Sequence, residues 1–197
     1  MIMSLLKKPQ VYQFKISLIC FSPKIWRRIQ VPEGYKFLGL HKAIQDAMGW
    51  EDYHLHEFEI ISPETIRKER IGIIDENDFP DYELLDEKKA KIATYFSKTN
   101  KKAIYSYDFG DDWSHEILFE KILPAEAQVK YPRCIDGENA CPPEDCGGVW
   151  GYEEMLEIIQ DPKHPEYQNR LDWLGGEFDP TEFNSELIKF RRAKILC

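Results

Sequence analysis

Val11-Tyr12-Gln13-Phe14-Lys15-Ile16-Ser17-Leu18-Ile19-Cys20 sets Tyr12, Phe14, Ile16, Leu18 and Cys20 on one side and Gln13, Lys15 and Ser17 on the other. A period of two sends one row of side chains into a core and the other toward water, so this run predicts a half-buried strand. Ser22-Pro23 supplies a turn. Ile25 to Val31 predicts a second strand, with Ile25, Arg27, Ile29 and Val31 inward, Trp26 and Arg28 on the opposite face, and Pro32 at its end. The short connection makes the pair an antiparallel hairpin. The period then changes. Phe37, Leu40, Ile44, Ala47 and Met48 recur at helical spacing, and Gly49 stands where a helix-ending glycine belongs. Lys36 is a poor cap for the start of that helix. From His54 to Ile61 alternation returns, with His54, His56, Phe58 and Ile60 sharing one face.

Hairpin, helix, strand is the order of an α+β fold with a helix packed on one face of a sheet. Farther along, Asp75 to Glu87 is dense in acids, contains Pro80 and reads as a solvated loop. Leu84 or Leu85, Lys88, Ile92 and Tyr95 or Phe96 suggest a modest amphipathic helix. Ala103 to Asp108 and Trp113 to Ile122 predict a second hairpin around the turn Phe109-Gly110-Asp111-Asp112. Residues 131–148, rich in Pro, Gly and Cys, predict an ordered loop. Helices are expected around Tyr152, Met155, Leu156 and Ile159, from Pro165 to Leu174 before Gly175-Gly176, and after Asp179-Pro180 with Phe183, Leu187 and Phe190 inward. The expectation is a single mainly antiparallel sheet covered by helices, with a helical C-terminal part. It is one domain over residues 1–197, with 1–10 and 191–197 peripheral.

Composition narrows the function. The chain has 197 residues and a formal net charge of −9. At roughly 150 residues per domain, this length allows a core that needs no disulfide or metal to fold. No run approaches the roughly 20 apolar residues of a membrane span, and the stretch Met1 to Lys8 is too short for a signal peptide. The expectation is a cytoplasmic protein without membrane association. An acidic chain repels phosphate backbones, and the basic runs Lys88-Lys89-Ala90-Lys91 and Arg191-Arg192-Ala193-Lys194 lie in no DNA-binding motif, so nucleic-acid binding by this chain alone is not expected. The second run reads as a frayed end. An odd count of five cysteines argues against a disulfide framework. Cys20 reads as a buried thiol, and Cys197 is terminal.

Three constellations carry candidate chemistry. Cys134, Cys141 and Cys146 offer three thiols for zinc, but neither gap has the tight C-x-x-C spacing of a zinc turn, and loop thiols are the simpler reading. His54 and His56 on one strand face lie about 7 Å apart, close enough to share Zn or another divalent metal ion, with Asp108, Asp111, Asp112 or His115 completing the site; packing at the edge of a core is the alternative. Asp108, Asp111, Asp112, Glu144 and Asp145 are able to hold a metal ion, act as acid and base, or stabilise turns. Trp26, Trp50, Trp113, Trp150 and Trp173 could line a groove, although large rings at element ends more often close a core. Both His56-Glu57 and His115-Glu116 begin an H-E-x-x-H, but Ile60 and Phe119 occupy the second ligand position, which excludes a zincin helix. Phosphate-loop, dinucleotide and nucleophile-elbow signatures are absent.

Longer strings carry a resemblance. Pro23-x-Ile25-Trp26-Arg27-Arg28-Ile29-x-Val31-Pro32, Leu40-His41, Met48-Gly49-Trp50, His54-Leu55-His56-x-Phe58, Tyr107-Asp108-Phe109-Gly110-Asp111-Asp112-Trp113-x-His115, Cys141-Pro142-Pro143-Glu144-Asp145-Cys146-Gly147-Gly148, Gly151-Tyr152 and Phe178-Asp179-Pro180-x-x-Phe183 resemble the plasmid pRiA4b ORF-3-like family over about residues 11–188. Lys36 and Lys189 depart from its pattern. The resemblance implies a compact α+β domain and no established catalytic residues. Relatives are sometimes labelled transposon passenger proteins or resolvases. A serine resolvase requires a nucleophilic Ser near arginines and a basic DNA-binding domain, and this chain shows neither.

The functional expectation is a non-enzymatic cytoplasmic binding module. Its cleft would be formed by His54, His56, Asp108, Asp111, Asp112, Trp113, His115, Glu144, Asp145 and Trp150, and would take a protein or a small ligand. The alternatives are a metal-dependent phosphoester hydrolase built on His54, His56, His115 and Asp108 or Asp111, and a DNA-processing accessory of a mobile element.

Overall fold

The computed structural model describes residues 8–74 and 82–191. The expectations for the N-terminal run, for the acidic residues 75–81, for the basic residues 192–194 and for Cys197 lie outside it.

Eight strands form the sheet: β1 (Gln10–Leu18), β2 (Trp26–Pro32), β3 (His56–Ile61), β4 (Lys68–Gly72), β5 (Leu84–Asp86), β6 (Lys102–Tyr107), β7 (Trp113–Pro124) and β8 (Arg133–Glu138). Their spatial order is β5-β4-β3-β6-β7-β1-β2-β8, and every pairing is antiparallel except that of β4 with β5. Among the described residues, four helices accompany the sheet: α1 (Phe37–Met48), the single turn α2 (Ile92–Tyr95), α3 (Gly148–Gln160) and α4 (Tyr167–Leu174).

The alternation read from the sequence sets which face is buried. Phe14, Ile16, Ile29, Val31, Phe58, Ile60, Tyr105, Tyr107, Ile117 and Phe119 meet Phe37, Leu40 and Ile44 of α1 in one core. The opposite face carries a polar ladder. Arg28 pairs with Glu120 at 2.9 Å, Gln13 donates to Glu120, Gln30 donates to Gln13, and Arg133 donates to Gln30. The missing side-chain cap on α1 is replaced by backbone. The N–H groups of Phe37 and Leu38 donate to the carbonyls of Ala90 and Glu87, which meets two of the orphan donors at the helix start. At its other end Gly49 takes the left-handed conformation, φ 88°. The buried Arg27 donates its Nε to the Ala47 carbonyl there, a cation placed at a helix C-terminus.

Two parts of the expected architecture are corrected. The class remains α+β, but the sheet is larger than one strand flanked by two hairpins. β4, β5 and β8 extend it at both ends, and β5 lies in the stretch read as a solvated loop. The C-terminal part is also less helical than expected. After Asp179-Pro180 the chain forms only a 3-10 turn at Ser185–Leu187. Asp179 spends its side chain on the Thr181 N–H and hydroxyl, the turn-stabilising use of an aspartate. Phe183 sits over the Arg27 guanidinium at 4.5 Å, Ala140 donates its N–H to the Pro180 carbonyl, and Leu187 is exposed. This segment is therefore held by contacts with β2 and β8 and not by a buried helical face. Arg191 is not frayed: its Nε lies 2.5 Å from Asp46 and its N–H donates to the same carboxylate. Cys20, expected to be buried, is exposed and has left-handed backbone, φ 62°.

Candidate functional site

At one end of the sheet, β3 begins and the β6–β7 hairpin turns. Three loops meet there: residues 49–55 after α1, residues 108–112, and residues 139–147 before α3. Side chains join them. Trp50 Nε1 donates to the Pro142 carbonyl at 2.9 Å, and the Glu51 N–H donates to Glu144 at 2.8 Å. The Gly147 N–H donates to Asp111 at 3.1 Å. Tyr107, at the end of β6, donates its hydroxyl to Glu144 in a short hydrogen bond and accepts from the Tyr53 N–H. Burial, reinforced by Glu144, raises the Tyr107 pKa, so the hydroxyl stays protonated as that arrangement needs. The packing is close: a Cβ on Gly148 would lie 2.4 Å from the Asp111 carbonyl oxygen.

His54 stands at the centre of this junction. Its Nε2 lies 3.0 Å from Asp145 Oδ1 and 3.6 Å from Asp108 Oδ2. Asp108 is buried, and its other oxygen accepts the N–H groups of Gly110 and Asp111, which fixes the direction of the carboxylate. Asp52, Asp108, Asp112 and Asp145 all have left-handed backbone, with φ from 55° to 66°. Aspartate tolerates this conformation better than most residues, and strained backbone of this kind gathers at ligand sites.

A second cluster lies deeper. His41 on α1 and His56 on β3 stack with ring centroids 3.4 Å apart and planes 3° from parallel. Hydrogen bonds around His41 close a ring. Gln45 Nε2 donates to the Tyr105 hydroxyl, Tyr105 is paired with His41 Nδ1, His41 Nε2 with Asp52, and the Asp52 N–H donates to Gln45 Oε1. Burial holds the Tyr105 pKa well above its ordinary value, so its proton is retained and points to His41 Nδ1. His41 therefore carries its own proton on Nε2, toward Asp52. Burial also lowers the His41 pKa and keeps that imidazole neutral. His56 Nε2 faces the buried Glu87 at 2.7 Å. His41, Asp52 and His56 could be taken for metal ligands by proximity alone. The stack argues otherwise: an imidazole nitrogen binds a metal in its ring plane, and two parallel planes cannot both hold one ion there. Both Nε2 atoms are already directed at carboxylates.

The sequence candidates thus separate. His54, Asp108 and Asp145 converge; Asp111 and Glu144 join the loops around them, and Asp112 faces the Ser114 hydroxyl at 3.3 Å. His56 belongs to the deeper cluster and shares no site with His54. Trp113 and His115 are fully buried, with His115 Nδ1 against the Trp113 carbonyl at 3.1 Å. Burial lowers the His115 pKa to about 4. Trp150, on the first turn of α3, is 82% exposed. Among the described residues, no triad of potential metal ligands within 4.8 Å of one another includes Cys134, Cys141 or Cys146. Burial pushes the Cys141 and Cys146 thiols up to about 12, and Cys134 in the same direction.

His41, Gln45, Asp52, Glu87, Tyr105 and Tyr107 were not candidates from sequence. A signal for two of them existed. His41 and Gln45 continue the Phe37 row at four-residue spacing, so they are polar side chains at positions the helix must bury.

The same strings that build the junction are shared with other proteins. The pattern defining the plasmid pRiA4b ORF-3-like proteins matches residues 10–187. The chain belongs to that family. A family-sized relative, uncharacterized protein y4hQ of Sinorhizobium fredii (strain NBRC 101917 / NGR234), is 35% identical over 184 residues, covering 91% of this chain and 89% of that protein. The crystal structure of the protein of unknown function MM3350 from Methanosarcina mazei Go1 is similar at a TM-score of 0.86 and 50% identity, over 93% of this chain and 100% of that one. Family membership carries the fold, and no activity comes with it. No helix among the described residues is long and apolar enough to cross a membrane.

Proposed function

We propose that this family member is a cytoplasmic binding module whose recognition surface is the junction of loops 49–55, 108–112 and 139–147. The supporting observation is the convergence of three sequence-distant loops, tied by side-chain hydrogen bonds, around His54 and an acidic set of Asp108, Asp111, Asp112, Glu144 and Asp145. Beside these acids in the chain, Tyr53, Leu55, Phe109 and Trp150 are exposed. Exposed apolar side chains rimmed by polar ones are the composition of an interaction site. Acid among aromatics suits a partner that is basic and apolar, because opposite charge steers the encounter and aromatic burial supplies affinity.

The test is an NMR titration of the 15N-labelled chain with a short peptide of alternating Arg and Phe, and with its Glu-for-Arg counterpart. Amide shifts confined to residues 53–55, 108–112 and 144–150 are expected with the basic peptide only. Shifts elsewhere, or equal responses to both peptides, would overturn this reading. The hydrolase alternative has less support, because His56 and His115 are buried and directed at other partners.

A further inference from the structure

We propose that His54 Nε2, Asp108 Oδ2 and Asp145 Oδ1 form a three-ligand site for a divalent transition-metal ion of the Zn²⁺ or Mn²⁺ kind. The proposal deepens the reading of the loop junction as a recognition surface and rests on it for the site's role, though not for its geometry.

The three donor atoms lie within 4.8 Å of one another. Metal bonds of about 2.0–2.2 Å in tetrahedral or octahedral arrangement set neighbouring donors about 3.0–3.5 Å apart. The 3.0 Å and 3.6 Å separations from His54 Nε2 to the two carboxylates match those edges. A plain ion pair accounts for the site less well. His54 Nε2 is shut off from solvent and, among the described residues, has no hydrogen-bond partner, even though Asp145 Oδ1 is 3.0 Å away. The carboxylate oxygen therefore lies off the axis of the ring nitrogen, and the short separation is not that of an aligned hydrogen bond.

The surrounding residues orient the donors. Asp108 commits Oδ1 to two backbone N–H groups and leaves Oδ2 for the site. The His54 N–H faces the Tyr107 hydroxyl at 3.4 Å, and the His54 ring meets the Tyr107 ring edge-on. Outer contacts of this kind fix ligand geometry at metal sites. Two carboxylates balance a divalent charge; the imidazole nitrogen suits Zn²⁺ and the carboxylates also accept Mn²⁺, whereas Mg²⁺ and Ca²⁺ prefer all-oxygen shells. The exposed Asp145 leaves one side of the site open, so the ion keeps positions for water or for a donor from a partner.

The experiment uses the full chain stripped with EDTA. Calorimetric titration with ZnCl₂ should show one equivalent bound, and MnCl₂ should broaden amide signals of residues 53–55, 107–111 and 144–147. His54→Ala and Asp145→Asn should each weaken binding by about 10- to 100-fold or more, with circular dichroism reporting that both remain folded. Absence of stoichiometric binding overturns the proposal. So does broadening centred on His41 and His56, or binding unchanged in both variants. The peptide titration on metal-free protein separates this proposal from the one before it. A peptide response without Mn²⁺ broadening removes the metal and keeps the surface; broadening without a peptide response does the reverse.

Discussion

His54 and His56 are two residues apart and have opposite surroundings. His56, the first residue of β3, stacks on His41 and gives its Nε2 to the buried Glu87. His54, two residues outside the strand, keeps 30% of its side chain exposed and has no hydrogen bond at Nε2 among the described residues. The difference comes from the neighbours each meets. Packing supplies His56 with the His41 ring from α1 and the Glu87 carboxylate from the residue after β5, so its Nε2 is paired within the core, while its Nδ1 has no hydrogen-bond partner among the described residues. Just before β3 begins, two loops supply His54 with the carboxylates of Asp108 and Asp145, and neither forms a hydrogen bond with it. A polar group paired inside the core contributes to stability, and a side chain at the exposed edge of the sheet is within reach of a ligand.

The largest effect should come from the deeper cluster. His41→Ala removes a ring from a buried stack, takes from the Tyr105 hydroxyl its acceptor and from the Asp52 carboxylate its imidazole donor, and opens a cavity, for a loss of roughly 3–5 kcal/mol. His54→Ala should cost less than about 1 kcal/mol, because its side chain is 30% exposed and makes no hydrogen bond among the described residues. Urea denaturation of both variants measures the difference. Equal losses would mean that His54 is as structural as His41, and the contrast between the two clusters would fail.

Acid should act next, through the buried histidines. A histidine whose folded pKa is depressed is protonated first in the unfolded chain, so stability is complete above the unfolded pKa near 6.5 and falls as pH drops toward the folded pKa. His115, at about 4, should contribute a loss of about 3 kcal/mol across that interval. His41 is depressed by burial as well and adds to the same slope. Urea midpoints recorded from pH 7 to pH 4 should fall steadily, and His115→Gln should flatten part of the slope. A profile as steep in that variant as in the parent would remove His115 as a source.

The same contrast shows what could be read from sequence. The strands and helix that bury a regular face were legible: Tyr12, Phe14 and Ile16 in β1, Phe58 and Ile60 in β3, and Phe37, Leu40 and Ile44 in α1 repeat at the period of their element. Edge strands were not. β8 has no buried residue, and β5 spans three residues, so neither leaves a periodic trace. The Asp179-Pro180 start signal failed because a cap needs a helix with a face to bury, and Phe183 is held instead by Arg27. In the site, the acids and His54 were legible as residue types. The separation of His54 from His56 was not, since alternation predicts a shared face wherever a strand continues, and here β3 begins at His56.

Tyr107→Phe probes the connection between core and loops. It deletes the bond to Glu144 and the acceptor for the Tyr53 N–H while keeping the ring in the core. The expected loss is about 1–2 kcal/mol. Amide hydrogen exchange should become faster across residues 141–148 and stay unchanged in β1 and β7. Uniformly faster exchange would mean that the loops open only when the whole fold does.

Trp150→Ala should have the smallest effect on stability and is for that reason the cleanest probe of the surface. The side chain is 82% exposed on the first turn of α3, while Tyr152 and Met155 of the same helix are fully buried. Removing it should change stability by no more than about 0.5 kcal/mol, yet weaken the response to the basic peptide if the acidic junction and its aromatic rim act together. A thermal midpoint that falls sharply would show that the indole is covered in solution, and light scattering tells whether a second copy of the chain covers it. An unchanged midpoint with an unchanged peptide response would leave Trp150 outside the recognition surface and confine recognition to the acids.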